Sequence, residues 1–140
     1  MTLFLDTSAL VKLLVEEEHS RTVRDAAEAS SVLVASHLAL VETHATLTRM
    51  RRGGRVDADA AERLAAGFEE LWVDVAVVPI VDRVVVRAAA LARRHGLRGY
   101  DAMQLAAALD VRDLPALRFA SFDVELDAAA AREGLMLLTR

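Results

Sequence analysis

Short apolar runs alternate along the chain with longer stretches in which apolar residues recur every three or four positions. The short runs are rich in valine and leucine and end at polar residues, a pattern typical of the buried strands of a parallel sheet. The longer stretches are typical of amphipathic helices that turn one face toward a core. The alternation predicts an α/β fold with a central, mostly parallel sheet of about five strands flanked by helices.

Polar residues and glycines set the boundaries of these elements. The predicted strands cover residues 3–5, 31–35, 75–80, 117–121 and 135–138. The predicted helices cover residues 9–15, 16–29, 36–52, 57–72, 82–95, 100–109 and 123–133. The second helix is predicted to begin at the glutamates 16–18, because acidic side chains stabilise a helix N-terminus. No linker or repeat divides this order, so residues 1–140 are predicted to form a single domain.

The composition is that of a globular chain, since 54% of the residues are hydrophobic and 27% are charged. There is no cysteine, which excludes disulfides, thiolate metal ligands and cysteine nucleophiles. The first residues lack the basic and long apolar regions of a signal peptide, and no apolar run is long enough to span a bilayer. We therefore expect a cytoplasmic protein without a membrane partner.

Three carboxylates fall where an open α/β sheet binds its ligands, beyond the carboxyl ends of its strands, and a fourth can reach that place from a neighbouring helix. Asp6 follows the first predicted strand, and Asp123 follows the strand at 117–121. Asp101 lies in the first turn of its predicted helix, and Glu42 lies on the helix that follows the second strand. We expect these four side chains to lie close together.

Each of these acids also has a purely structural interpretation. Asp6 and Asp123 suit the N-cap position of a helix, where a carboxylate accepts a backbone hydrogen bond. Asp101 would interact favourably with the helix dipole, and Glu42 could point into solvent. Glu42 and Asp101 nevertheless stand among apolar and small residues, and a buried carboxylate requires a partner or a metal ion. The residues alone leave both interpretations open.

Four short segments surround these acids in the sequence. They are residues 5–12 (LDTSALVK), 41–42 (VE), 99–102 (GYDA) and 120–123 (ASFD), and small and apolar residues follow the last two. In this order and spacing the segments resemble the PIN-domain ribonucleases, and more closely the VapC toxins of bacterial toxin–antitoxin pairs. The similarity covers essentially the whole chain, which makes it far more specific than any single segment.

The resemblance implies a PIN-like fold of three layers, with helices on both faces of the sheet. It implies a ribonuclease that acts as the toxin of a toxin–antitoxin pair. Its partners would be the RNA substrate, a cognate VapB-like antitoxin and a second copy of the chain in a homodimer. The high apolar content favours such contacts, and the helices between residues 36 and 72 are the predicted walls of a groove for an amphipathic antitoxin helix.

The resemblance also assigns roles to individual side chains. The catalytic and metal-binding positions of the family are matched by Asp6, Glu42, Asp101 and Asp123. Ser8 and Ser121 match positions at which small polar residues orient water or an acid. Asp127 is an additional carboxylate one turn after Asp123 and could assist the site.

A set of four carboxylates without histidine presents only hard oxygen ligands, which suit Mg²⁺ or Mn²⁺ better than Zn²⁺. Crowded carboxylates repel one another, so a cation would complete such a site. A bound metal ion lowers the pKa of water and stabilises the charge that develops on a phosphate during hydrolysis. It would also attract RNA to a chain whose net charge is −4.

A cluster of arginines ends the predicted helix that carries Glu42. Arg49, Arg51, Arg52 and Arg55 would stabilise the C-terminus of that helix, because this end carries partial negative charge. They could equally contact RNA phosphates or the antitoxin. Both interpretations stay open.

Receiver domains and haloacid-dehalogenase-like phosphotransferases also begin with an aspartate at a strand end. Both expect a second acid beside it and a lysine after a later strand, whereas Thr7 and Ser8 follow Asp6 here and the only lysine is Lys12. A P-loop nucleotidase is excluded because no glycine-rich Lys-Ser/Thr loop is present. A housekeeping RNA-processing PIN nuclease and a non-catalytic PIN-like module that binds RNA or protein remain alternatives to the toxin.

Overall fold

The computed structural model describes residues 1–138 and contains alternating strands and helices, which confirms the predicted α/β fold. The strands are β1 (Thr2–Leu5), β2 (Val32–Ser36), β3 (Val75–Val78) and β4 (Leu117–Ala120). The helices are α1 (Thr7–Leu14), α2 (Ser20–Glu28), α3 (Leu38–Arg52), α4 (Ala58–Val73), α5 (Asp82–His95), α6 (Gly99–Asp110) and α7 (Val124–Arg132). None of the helices within residues 1–138 is both long enough and apolar enough to cross a membrane.

All four strands of the sheet pair in parallel, in the order β3-β2-β1-β4 across residues 1–138. β1 therefore lies between β2 and β4, and Leu5 stands opposite Ala120 at the carboxyl ends of β1 and β4. Every residue of β1 is buried, as expected for a strand that is covered on both faces. The next two strands in the chain, β2 and β3, lie on one side of β1, and β4 lies on its other side. This reversal of strand order creates a crevice beyond the strand ends where such sheets bind ligands.

Side chains that alternate along the strands divide the core into two parts. On one face of the sheet, Phe4, Val34 and Phe119 pack against α5, α6 and α7. On the other face, Leu3 and Leu5 pack against residues of α1, α2 and α3, with α4 at the periphery. Helices thus cover both faces, and the three-layer arrangement is confirmed.

Within residues 1–138 the sheet has four strands rather than about five, so the prediction of a strand at 135–138 is wrong. Leu137 forms a single parallel bridge with Phe119, whose N–H donates to the Met136 carbonyl at 2.8 Å. The Leu135 N–H donates instead to the Ala130 carbonyl at 3.0 Å, which holds the start of this segment against the end of α7. The segment therefore reaches the edge of β4 only near Leu137.

The second helix begins at Ser20 rather than at the three glutamates, so that predicted boundary is also wrong. Residues 16–18 lie in the connection between α1 and α2. His19 has a φ of 67°, in the left-handed region, and this conformation separates the glutamates from the right-handed helix that follows. The Ser20 hydroxyl accepts the Glu17 N–H at 3.0 Å, which fixes the connection against the start of α2.

Candidate active site

A cavity of about 350 Å³ opens at the carboxyl ends of β1 and β4. The four carboxylates that the sequence singles out all line it: Asp6, Glu42, Asp101 and Asp123. They come from four places in the chain, namely the β1–α1 junction, α3, the first turn of α6 and the residue before α7. The structure therefore brings together the side chains that the sequence predicts as a group.

Asp6 is 5% exposed and caps α1, where its Oδ1 accepts the Ala9 N–H at 2.9 Å. The Ser8 hydroxyl donates to the same oxygen at 2.6 Å, and the Ser121 hydroxyl also bonds the carboxyl group. Burial nevertheless raises the pKa of Asp6 from 3.8 to about 6, because the loss of water outweighs these bonds, and Asp101 adds repulsion. Asp6 is thus both a helix cap and a poorly solvated charge.

Asp101 lies in the first turn of α6 and is partly buried. Its pKa is raised first by burial and then by the negative charges of Asp123 and Glu42, while Arg98 opposes the shift. Asp123 is exposed and caps α7, since its Oδ1 accepts the Leu126 N–H at 2.9 Å. The carboxylates of the cavity thus repel one another, as expected of a crowded acidic site.

Glu42 is held by two side chains whose role the sequence patterns had not indicated. Its Oε1 accepts from the Thr7 hydroxyl at 3.0 Å and from Gln104 Nε2 at 2.8 Å. Gln104 is 2% exposed, and its Nε2 also donates to Thr7 Oγ1 at 3.1 Å, whereas its Oε1 has no partner within residues 1–138. A signal was available, because Gln104 is the only glutamine and stands one turn after Asp101 in an apolar stretch.

Ser8 and Ser121 connect the carboxyl ends of β1 and β4. Besides bonding Asp6, Ser8 Oγ accepts the Phe122 N–H at 3.0 Å. Ser121 also bonds Asp6, and its Oγ accepts the Asp123 N–H at 3.1 Å. Each serine therefore ties one acid to the backbone that carries another, a geometry suited to the orienting role that the resemblance implies.

The donors around the cavity fit a hard divalent cation. The four acids offer only oxygen ligands, and within residues 1–138 no ion pair reaches Asp6, Glu42, Asp101 or Asp123. In the same part of the chain, no three such side chains stand close enough to hold a metal ion as they are, so binding requires them to converge. Asp127 does not line the cavity, and its assistance stays a prediction.

The arginines at and just beyond the end of α3 differ in their positions relative to the acidic cavity. Arg49, Arg51 and Arg52 are exposed, and Arg49 donates to the Thr46 hydroxyl at 3.1 Å. None of these three lines the acidic cavity, whereas Arg55 from the following loop does. Contact of the three exposed arginines with RNA or antitoxin therefore stays a prediction.

Known proteins share both the sequence pattern and the fold. The PIN domain model matches residues 3–132. Ribonuclease VapC45 of Mycobacterium tuberculosis is 33% identical over 131 residues, which cover 94% of this chain and 90% of the relative.

Solved structures agree with this match. The crystal structure of PAE2754 from Pyrobaculum aerophilum is similar with a TM-score of 0.68 and 26% identity, over 99% of this chain and 92% of that one. A toxin–antitoxin complex from Klebsiella pneumoniae contains a chain of the same fold, with a TM-score of 0.64 and 19% identity over 88% and 87% of the two chains. This chain therefore belongs to the PIN-domain family, among its VapC proteins.

Proposed function

We propose that this protein is a Mg²⁺- or Mn²⁺-dependent ribonuclease that hydrolyses RNA phosphodiester bonds and acts as the toxin of a toxin–antitoxin pair. One observation carries the proposal: four carboxylates, none of which is in an ion pair within residues 1–138, line a single cavity at the crevice of the sheet. The raised pKa values of Asp6 and Asp101 support it, because the fold keeps negative charge where water solvates it poorly. The ribonuclease activity named for VapC45 supports RNA as the substrate.

The protein's own side chains would prepare this site for catalysis. The metal ion would be held by Asp6, Glu42, Asp101 and Asp123. When bound, it supplies Lewis-acid chemistry that activates water and stabilises the charge developing on the phosphate. Ser8 and Ser121 restrain Asp6, while Thr7 and Gln104 restrain Glu42. These bonds limit the conformations of the carboxylates, which lowers the entropic cost of gathering them around a cation.

An apolar groove is suited to the antitoxin. It is lined on α1, β2 and α4 by Leu13, Leu14, Leu33, Leu64 and Leu71. Of the predicted wall residues, Leu64 and Leu71 line this groove, whereas Leu47 and Phe68 are buried in the core. An amphipathic helix of a VapB-like antitoxin would bury its apolar face there, and an arginine of the same partner would pair with the cavity carboxylates. The toxin–antitoxin complex with the same fold supports a partner of this kind.

A second apolar surface is suited to the homodimer. It is lined by residues of α3, α5 and α6, and it includes the exposed side chains of Val85 and Tyr100. A second copy of the chain would remove this surface from water. The homodimer and the cytoplasmic location both stay predictions.

Metal dependence is tested by incubating the purified protein with total cellular RNA. Cleavage should stop in excess EDTA and resume when Mg²⁺ or Mn²⁺ is added beyond the chelator. The resemblance to the family implies that the mapped products carry 5′-phosphate and 3′-hydroxyl ends. Undiminished cutting in excess chelator would remove the metal ion from the proposal. Complete inactivity with either metal would favour the non-catalytic PIN-like module.

The toxin and the housekeeping nuclease differ in their partners. A toxin should arrest growth when overexpressed alone, and the product of the adjacent reading frame should co-purify with it and suppress RNA cleavage. If the chain is harmless alone and no neighbouring product binds it, a housekeeping RNA-processing nuclease becomes the better account.

A further inference from the structure

The wall of the acidic cavity contains the only lysine of the chain. Lys12, in the last turn of α1, lines the cavity together with the four carboxylates. Its side chain is 11% exposed, and its ammonium group lies 4.7 Å from the centre of the Phe122 ring. Phe122 directly precedes Asp123, so this cation–π contact holds the ammonium group against the residue next to one of the acids.

Glu17 holds Lys12 from the other side. Its Oε1 accepts from Lys12 Nζ at 3.1 Å, and its Oε2 lies 3.4 Å from Nη2 of Arg55, which also lines the cavity. One carboxylate thus bridges two cations that come from α1 and from the loop after α3. These two cations are the basic side chains that line this cavity among residues 1–138.

The α1–α2 connection fixes the position of Glu17. The Glu17 N–H donates to the Ser20 hydroxyl at 3.0 Å, and that hydroxyl donates to the Val15 carbonyl at 3.0 Å. His19 adopts a φ of 67° and stacks its ring on Phe122, with the ring centres 5.4 Å apart. The left-handed conformation is unfavourable for histidine, so several contacts cooperate to keep this connection at the cavity.

A polyanion that enters a cavity of four carboxylates requires cations near its phosphates. Lys12 has three N–H donors and uses one of them on Glu17, which leaves capacity for a second oxyanion. The Glu17 side chain is 25% exposed, so it can turn toward solvent without leaving a buried charge, whereas Lys12 stays fixed by Phe122. Carboxylates and phosphates bind such cations with similar charge-assisted hydrogen bonds.

We propose that Lys12 and Arg55 bind a phosphate of the RNA substrate at the cavity wall, and that Glu17 occupies this phosphate site in the free protein. The inference rests on the proposed ribonuclease function and names the side chains that receive the substrate. It makes Glu17 a competitor of RNA, although Glu17 is also one half of the Lys12 ion pair. Substitution of Lys12 should therefore weaken RNA binding, whereas substitution of Glu17, its partner in the ion pair, should strengthen it.

The test measures binding of a single-stranded RNA oligonucleotide by fluorescence anisotropy in Mg²⁺, with Asp101→Asn in every variant to prevent cleavage. Lys12→Met should weaken binding roughly tenfold, and the slope of log Kd against log salt should fall by about 0.7. Glu17→Gln should tighten binding by up to about fivefold, because it removes the competing charge. Arg55→Gln, at a side chain that is 60% exposed, should weaken binding about threefold.

Arg83→Gln is the matched control, because Arg83 forms an ion pair with Asp110 away from the cavity. It removes one positive charge and one ion pair, and RNA binding should stay within about twofold of the parent. A purely structural role of the Lys12–Glu17 pair would make Lys12→Met and Glu17→Gln lower Tm together and shift RNA affinity in the same direction. That result, or an Arg83→Gln effect equal to that of Lys12→Met, overturns the proposal. Cleavage by the otherwise unaltered protein is measured first, so a failure of the ribonuclease function itself is seen separately.

Discussion

The two ends of helix α6 each carry an aspartate, and their surroundings act on the two carboxylates in opposite directions. Asp101 in the first turn has a raised pKa, because it is partly buried and faces Asp123 and Glu42. Asp110 at the last residue has a lowered pKa, because Arg83 donates to it through Nε and Nη2, each at 2.8 Å. The helix dipole alone would lower the pKa of Asp101 and raise that of Asp110, since it favours negative charge at the N-terminus and disfavours it at the C-terminus. Tertiary contacts therefore override the dipole at both ends.

The comparison extends to other carboxylates. Outside the cavity, the pKa of Glu133 is lowered by its hydrogen bond with His95 and by Arg94. Inside the cavity, the shift of Asp6 to about 6 is a cost on the order of 3 kcal/mol when its carboxyl group is ionised. The fold pairs Asp110 and Glu133 with cations, whereas within residues 1–138 Asp6, Glu42, Asp101 and Asp123 form no ion pair. This difference is expected where the cation comes from outside the chain.

The largest expected effect is a difference in RNA cleavage between variants at the two ends of α6. Asp101→Asn removes a charged ligand and should lower the rate of RNA cleavage by more than about a hundredfold. Asp110→Asn removes an equal charge from the same helix and should leave the rate unchanged. Initial rates on one RNA substrate in saturating Mg²⁺ make the comparison, and a near-normal rate for Asp101→Asn would falsify the assignment of that residue.

A second prediction uses Asp6 and the pH dependence of folding stability. A raised pKa means that the ionised form destabilises the folded state, so the penalty is absent below about pH 4 and grows as pH rises through about 6. Asp6→Asn keeps an oxygen acceptor for Ser8 and Ala9 and should stabilise the protein by about 2–3 kcal/mol at pH 8. Urea unfolding in EDTA at pH 8, 6 and 4 measures this gain, which should shrink at each step. Added Mg²⁺ should also reduce it, since a cation relieves the penalty.

Glu133→Gln is the control, because its effect on folding stability should have the opposite sign to that of Asp6→Asn. The lowered pKa of Glu133 means that its ionised form stabilises the folded state above the ordinary pKa of glutamate, and that this stabilisation is lost as pH falls through the lowered value. The variant should lose less than about 1 kcal/mol at pH 8 and approach the parent in acid. If the Asp6 and Glu133 variants change stability with pH in the same direction, the contrast between cavity and surface acids does not hold.

The smallest expected effect concerns the hydrogen bonds that hold the Glu42 side chain. Gln104→Leu removes the amide that donates to Glu42 and Thr7, and it should raise the Mg²⁺ concentration for half-maximal activity about tenfold. Thr43→Val is the matched control, because Thr43 is buried next to Glu42 and its hydroxyl has no hydrogen-bond partner within residues 1–138. That variant should leave the Mg²⁺ requirement unchanged. Equal responses of the two variants would show that core packing, and not the Gln104 bond, sets the metal affinity.

The position of the acids was predictable because strand ends and helix starts are local features. Asp6 and Asp123 follow apolar runs that the sequence shows directly, and a parallel sheet must bring such strand ends to one edge. The bond between Gln104 and Glu42 was not predictable in this way, because it depends on how α6 approaches α3 across the cavity. Local patterns do not contain that packing.

The two errors in the secondary structure have the same origin. The glutamates 16–18 favour a helix start by local charge, but Glu17 is drawn to Lys12 and Arg55, and both lie outside its own segment. Residues 135–138 have the apolar composition of a strand, but the bond of Leu135 to Ala130 holds the start of the segment against α7, and only a single bridge to β4 forms. In both places a contact from elsewhere in the fold overrides the local preference.

The pairing of β1 with β4 has a consequence for the synthesis of the protein. Asp6 stands at the end of β1, which leaves the ribosome before the other three described strands, and its N–H bonds to the Ala120 carbonyl at 3.0 Å, in β4, the last of the four to emerge. A growing chain that stops short of residue 117 therefore has no neighbour for the outer edge of β1 and lacks Asp123 altogether. During translation the four carboxylates first come together when almost all of the described residues have been released, so the unfinished polypeptide carries no complete cavity near the messenger that encodes it.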